Sequence, residues 1–73
     1  MALERVEAPL PGKVVSVSVK QGDKITESTE ICVIEAMKME NPILATVGGV
    51  VKEVLITPGK VVKAGEVIVV IEY

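Results

Sequence analysis

A lysine lies between two methionines near the middle of this sequence of 73 residues. Met37, Lys38 and Met39 form the group, and the only other methionine is Met1. A lysine amine can act as a nucleophile and become a covalent attachment point. Flexible methionine side chains at an exposed position suit contact with several partners in succession. The alternative interpretation is an ordinary exposed lysine in a turn, and the surrounding elements must decide between the two.

Other chemistry is poorly represented in the chain. It has no histidine, so the usual proton shuttle and the commonest metal ligand are missing. Cys32 is the single cysteine, and we expect it to be a small buried hydrophobe rather than a reactive thiol. The ten carboxylates include no pair spaced for acid and base roles. We therefore predict no catalytic residue, no metal site and no enzyme activity of the chain's own.

Charge and hydropathy restrict the partners. The formal charge is −2 and the basic residues are spread along the chain, so no basic patch indicates nucleic-acid binding. No apolar run approaches the roughly 18 residues of a membrane span, and the first residues lack a signal-peptide pattern. We expect residues 1–73 to form a single soluble domain in the cytoplasm, without direct membrane insertion.

The chain contains an internal repeat with an offset of 37 positions. Residues 8–36 align with residues 45–73, and nine of the twenty-nine aligned pairs are identical. These identities include the glycine pairs Gly12/Gly49 and Gly22/Gly59, which fall at predicted turns. Two similar halves predict a domain with pseudo-twofold symmetry.

Each half has the pattern of β-structure. Alternating segments, KVVSVSVK and VVKEVLIT, run into the glycine turns QGDK and PGKV, which predicts hairpin-like units. The runs EICVIEA and EVIVVIE are continuously apolar and rich in β-branched residues, so we expect strands buried on both faces. Four prolines and six glycines interrupt the chain too often for a long helix. The sequence therefore predicts an all-β fold.

The methionine–lysine group falls between two predicted strands, at positions 30–35 and 40–44. This spacing places Met37 and Lys38 at the tip of a two-residue hairpin, with positive φ at both residues. Neither position holds the glycine, asparagine or aspartate that such turns favour, so the sequence accepts a conformational cost there. We interpret Lys38 as a presented attachment point.

At these residues the chain resembles the biotinyl domains of biotin-dependent carboxylases and decarboxylases, the biotin carboxyl carrier family. The resemblance rests on EAMKMEN, residues 35–41, together with the upstream APLPGKV and the turns VKQGDKI and ITPGKVVKAGEVI. It covers roughly residues 6–72. The matching recognition motif consists of Glu35, Ala36, Met37, Lys38 and Met39.

The resemblance implies a function and a fold. Lys38 would carry biotin in an amide bond made by a biotin protein ligase, and the arm would carry activated carboxyl groups between a biotin carboxylase and a carboxyltransferase. The implied fold is a flattened barrel-sandwich hybrid of two antiparallel four-stranded sheets, with interlocked halves and the termini together. A eukaryotic carboxylase of this family would place the domain in the mitochondrial matrix.

One departure from the family and two alternatives accompany this interpretation. Ser28 stands where the family usually has a glycine, so we expect a different or looser turn at residues 27–29. A lipoyl carrier domain shares the fold and the presented lysine, but its tip typically resembles Asp-Lys-Ala. An unmodified barrel-sandwich module for protein association would explain the repeat and leave the methionines beside Lys38 without a role.

Overall fold

The computed structural model describes residues 2–73 as eight β-strands, and it places no helix in this range that could span a membrane. In chain order the strands are β1 (Leu3–Glu7), β2 (Gly12–Val17), β3 (Lys24–Ile25), β4 (Glu30–Ala36), β5 (Met39–Leu44), β6 (Gly49–Val54), β7 (Val61–Val62) and β8 (Val67–Glu72).

The strands form two antiparallel four-stranded sheets, ordered β1-β8-β6-β3 and β5-β4-β2-β7. The predicted hairpin-like units are wrong, because β2 and β3 lie in different sheets although a tight turn joins them. Strand β3 pairs with β6 of the second half, and β7 pairs with β2 of the first half. Each half therefore contributes one short strand to the sheet of the other half. This exchange confirms the interlocked arrangement and the barrel-sandwich fold.

The strand registers confirm the pseudo-twofold symmetry. The β2–β4 ladder shifts between Val14 and Ser16, and the β6–β8 ladder shifts between Val51 and Glu53, which are the equivalent positions in the repeat. The chain ends also meet as expected, since the backbones of Ala2 and Tyr73 exchange hydrogen bonds of 2.8 and 2.9 Å.

The core lies between the sheets and is built mainly from β4 and β8. Four consecutive residues of β8, from Ile68 to Ile71, are buried, which confirms the prediction of strands covered on both faces. Burial of a Val or Ile side chain stabilises the fold by about 1.5–3 kcal/mol. The fully buried side chains are Val14, Ile31, Cys32, Ile34, Val51, Val62, Ile68, Val69 and Ile71.

The turn at Ser28 keeps the symmetry, so the expected different or looser turn is wrong. Ser28 has φ 74°, close to the 87° of its repeat equivalent Gly65. In both turns a side-chain oxygen accepts a backbone hydrogen bond of 3.1 Å, from Thr26 to Thr29 Oγ1 in one case and from Lys63 to Glu66 Oε1 in the other. Local hydrogen bonding of this kind supports a left-handed residue that is not glycine.

Gly12 and its equivalent Gly49 lie where two strands approach closely. A Cβ atom on Gly12 would come within 2.5 Å of the Glu35 carbonyl oxygen and 2.6 Å of Ile34 Cγ2. At Gly49 the clash would be with the carbonyl oxygen of Glu72. Both glycines are therefore required by space rather than by turn geometry.

We expect Gly12→Ala to lower the free energy of unfolding by about 3 kcal/mol, because the added methyl group must displace the β4 backbone. Gly22→Ala is the matched control: nothing lies within 4 Å of its Cβ position, so only its φ of 93° is strained. That strain costs about 1 kcal/mol. Urea denaturation of both variants measures the difference, and equal losses would contradict the close approach.

Cys32 is fully buried on β4, as predicted. Burial, and secondarily the nearby Glu30 carboxylate, raise the pKa of its thiol to about 11. The thiol therefore stays protonated and shielded from reagents in the folded chain.

We expect the stability of the chain to fall between about pH 9 and 11. The folded state holds the Cys32 proton more tightly than the unfolded state, so this contribution is complete below the unfolded pKa of roughly 8.5 and is lost as the pH rises through the folded value. Urea denaturation at pH 8 and pH 10.5 measures the loss. Cys32→Val, which copies the equivalent Val69, should show a smaller fall, and an identical fall would contradict the assignment.

Candidate functional site

The β4–β5 hairpin presents Lys38 at its tip. Strand β4 ends at Ala36 and β5 begins at Met39, and these two residues face each other in the register. The intervening Met37 and Lys38 have φ values of 55° and 63°, which confirms the predicted two-residue turn with positive φ at both positions. Such a turn follows the right-handed twist of the paired strands.

The tip projects into solvent. Met37 is 89% exposed and Met39 is 64% exposed, and Lys38 is also exposed. The one ion pair among residues 2–73 joins Lys60 to Glu66, and the Lys38 amine has no hydrogen-bond partner in the same range. No ion pair or hydrogen bond within the described chain therefore has to break before the amine can form a covalent bond.

Two carboxylates lie behind the tip on the outer face of the sheet. Glu35 and Glu40 are opposite each other on β4 and β5, and both are exposed. Like charges that face each other across antiparallel strands are destabilising. Lys13 lies opposite Glu35 on β2 and offsets part of this repulsion. Among the motif residues, Glu35 thus borders the tip without touching the Lys38 amine, and Ala36 is half-buried at the end of β4.

Asn41 joins the hairpin strands on the opposite face. Its Nδ2 atom donates hydrogen bonds of 3.2 Å to the carbonyl oxygens of Ile34 and Met39. No role for Asn41 was predicted from the sequence. An asparagine with strand neighbours, three positions beyond a non-glycine turn, was the signal that could have indicated a side-chain clamp.

Lys38 lies outside the groove on the surface of the fold. A surface groove of about 360 Å³ runs between the edge strands β1 and β5, and Lys38 is not among the residues that line it. Residues 2–73 contain no group of three side chains placed to bind a metal ion. The arrangement around Lys38 is thus an exposed amine on a hairpin of paired strands, which is suited to carrying a group rather than to enclosing a reaction.

These features define a small carrier-type domain, with two interlocked sheets that present one lysine on a primed hairpin. The chain belongs to the family described as "Biotin-requiring enzyme", whose sequence model matches residues 4–71.

Relatives of known identity match nearly the whole chain. It is 49% identical over 67 residues to the mitochondrial propionyl-CoA carboxylase alpha chain of Homo sapiens, covering 92% of this chain and 9% of that protein. It is 41% identical over 68 residues to the biotinylated protein TB7.3 homolog of Mycobacterium leprae, covering 93% and 96%. The Kluyveromyces lactis urea carboxylase structure matches with a TM-score of 0.91 and 29% identity, covering 99% of this chain and 6% of that chain. The chain thus spans only a small part of the two carboxylases.

Proposed function

We propose that residues 1–73 form one biotinyl domain and that Lys38 is its biotin attachment site. The observation that carries the proposal is the exposed amine at the tip of a hairpin, which has no ion-pair or hydrogen-bond partner among residues 2–73, in a chain of the biotin-requiring family. An amide bond to biotin requires an amine that a second protein can reach. The exposed tip meets that requirement.

The ligation step needs little chemistry from this chain. The neutral Nζ atom of Lys38 attacks the acyl carbon of biotinyl-adenylate, an amide forms, and AMP and a proton leave. Nothing within residues 2–73 is hydrogen-bonded to Nζ to take that proton, so we assign its removal to the biotin protein ligase. The chain contributes the position of the amine.

After ligation the domain acts as a tether. Biotin supplies the carboxyl-carrying chemistry, whose steps occur on partner enzymes. The Lys38 side chain adds a flexible arm to a rigid hairpin. Linking such a carrier to an enzyme raises its local concentration to the order of millimolar when the linker spans the sites. We propose a biotin carboxylase and a carboxyltransferase as the two partners, because the relatives include propionyl-CoA and urea carboxylases.

The location follows from those partners in this proposal. A carrier domain works in the compartment of its carboxylase. We propose the cytoplasm, or the mitochondrial matrix if the parent is a mitochondrial carboxylase of the kind that the human relative represents.

The turn sequence favours biotin over the two alternatives. A lipoyl carrier or an unmodified association module would have the same sheets, but neither gives a role to exposed methionines on both sides of the lysine. We propose that Glu35, Ala36, Met37 and Met39 form the surface that the ligase recognises.

We expect Lys38→Arg to abolish biotin incorporation, because arginine keeps the charge and removes the nucleophilic amine. Intact mass and a streptavidin blot, after incubation with a biotin protein ligase, biotin and ATP, measure incorporation. Lys52→Arg is the matched control on β6 and should be labelled like the unmodified sequence. Labelling that persists in Lys38→Arg, or labelling absent from the unmodified sequence, would contradict the assignment.

Replacing Met37 and Met39 together by alanine should change the free energy of unfolding by no more than about 0.5 kcal/mol, since both side chains are exposed. The same change should slow biotinylation. Ile34→Ala in the neighbouring strand removes a fully buried side chain and should cost about 2–5 kcal/mol. A comparable loss from the methionine pair would show that they stabilise the fold instead of forming a recognition surface.

A further inference from the structure

The Asn41 amide bridges the two strands immediately below the Lys38 turn. Both of its 3.2 Å hydrogen bonds end on backbone carbonyls, one on β4 at Ile34 and one on β5 at Met39. Asn41 also faces Ile34 in the register, and its side chain is half-buried on the side of the sheet that Ile34 turns towards the core. The bond to Ile34 is therefore partly shielded from water, while the bond to Met39 is exposed.

The tip needs such a bridge. Two residues that are not glycine hold left-handed backbone conformations there, which costs about 1 kcal/mol or more each. The strand pair between the bridge and the turn includes Glu35 facing Glu40, whose like charges oppose pairing. Only the pair formed by Ala36 and Met39 remains between these carboxylates and the turn.

The other half of the fold does without this bridge. The repeat places Glu4 of β1 at the position equivalent to Asn41, and a carboxylate cannot donate to carbonyl oxygens. Glu4 instead accepts a hydrogen bond of 3.1 Å from Thr46 Oγ1, while β1 stays paired with β8. The β1–β8 ladder thus forms without a side-chain amide at this position. The Asn41 bridge is therefore specific to the β4–β5 hairpin.

We propose that Asn41 is a positioning residue that holds the Met37–Lys38 turn in its left-handed conformation and so presents the Lys38 amine to the modifying ligase. The ligase half of this inference rests on the proposed function of Lys38. The conformational half stands without it, and the two halves are measured separately.

Amide hydrogen exchange measured by NMR tests the conformational half. In Asn41→Ala we expect the amides of Ala36 and Met39, which pair with each other across the hairpin, to exchange about tenfold faster, because two side-chain hydrogen bonds are lost. Amides of β6 and β8 should be unchanged. Asn41→Thr, which keeps strand propensity but cannot bridge both carbonyls, is the second variant in case the alanine variant folds poorly. Thr46→Ala, which breaks a side-chain hydrogen bond beyond the far end of β5, is the matched control and should leave the tip unchanged.

A rescue experiment separates the turn from general weakening. Asparagine adopts the left-handed conformation more readily than methionine does. Adding Met37→Asn to Asn41→Ala should therefore restore slow exchange at the tip. Unchanged exchange in Asn41→Ala, an equal rise in β6 and β8, or failure of Met37→Asn to restore protection would overturn the clamp.

Ligase kinetics test the positioning half. If the competent turn is less populated in Asn41→Ala, the apparent affinity falls in proportion, so KM should rise about tenfold while kcat stays the same. A loosened tip with unchanged KM would overturn the positioning role. If the unmodified chain takes no biotin at Lys38, the proposed function fails, and the exchange measurements still decide whether Asn41 holds the turn.

Discussion

The burial of β4 is the constraint on which the lysine hairpin depends. Strand β4 pairs with both β2 and β5, and Cys32 and Ile34 are fully buried on it. A slip of one residue would turn this buried set outward, so the register is strongly specified. That register places Ala36 opposite Met39 and leaves two residues to join them. The left-handed turn at Lys38 is thus a consequence of core packing, which outweighs its local cost.

The same register keeps the edge beside the lysine from pairing with other strands. The pair that closes a two-residue turn is hydrogen-bonded, and hydrogen-bonded and non-bonded pairs then alternate along the ladder. Counting from Ala36 and Met39, the pair of Val33 with Pro42 is a non-bonded one. Pro42 therefore lacks its N–H on the free side of β5, where an added strand would need a donor. A proline at this position protects the edge without weakening the hairpin.

The features that depend on neighbouring residues could be predicted from the sequence. Features that depend on pairing between strands distant in the chain could not. The hairpin, its positive φ values and the burial of Cys32 follow from strand patterns and spacing. The exchange of β3 and β7 between halves could not be read from the turns, because a tight turn does not specify whether the next strand joins the same sheet. The turn at Ser28 was misjudged because the side-chain hydrogen bond that accompanies the Gly65 turn also forms at Thr29, and with it Ser28 adopts nearly the same positive φ. Asn41 was missed because its role depends on a carbonyl seven residues away.

The repeat explains how one fold can provide both a connection and an attachment point. An offset of 37 carries the pair of Ala36 and Met39 onto the pair of Tyr73 and Ala2, which also exchange backbone hydrogen bonds. The β4–β5 ladder is therefore joined at this end by the turn that carries Lys38. In the equivalent β8–β1 ladder no turn joins the two strands, and residues 2 and 73 lie there instead. The two ladders belong to different sheets. Chain that continues from the β8–β1 ladder need not disturb the strands that hold the lysine, so symmetry at the level of the backbone supports two different uses of equivalent positions.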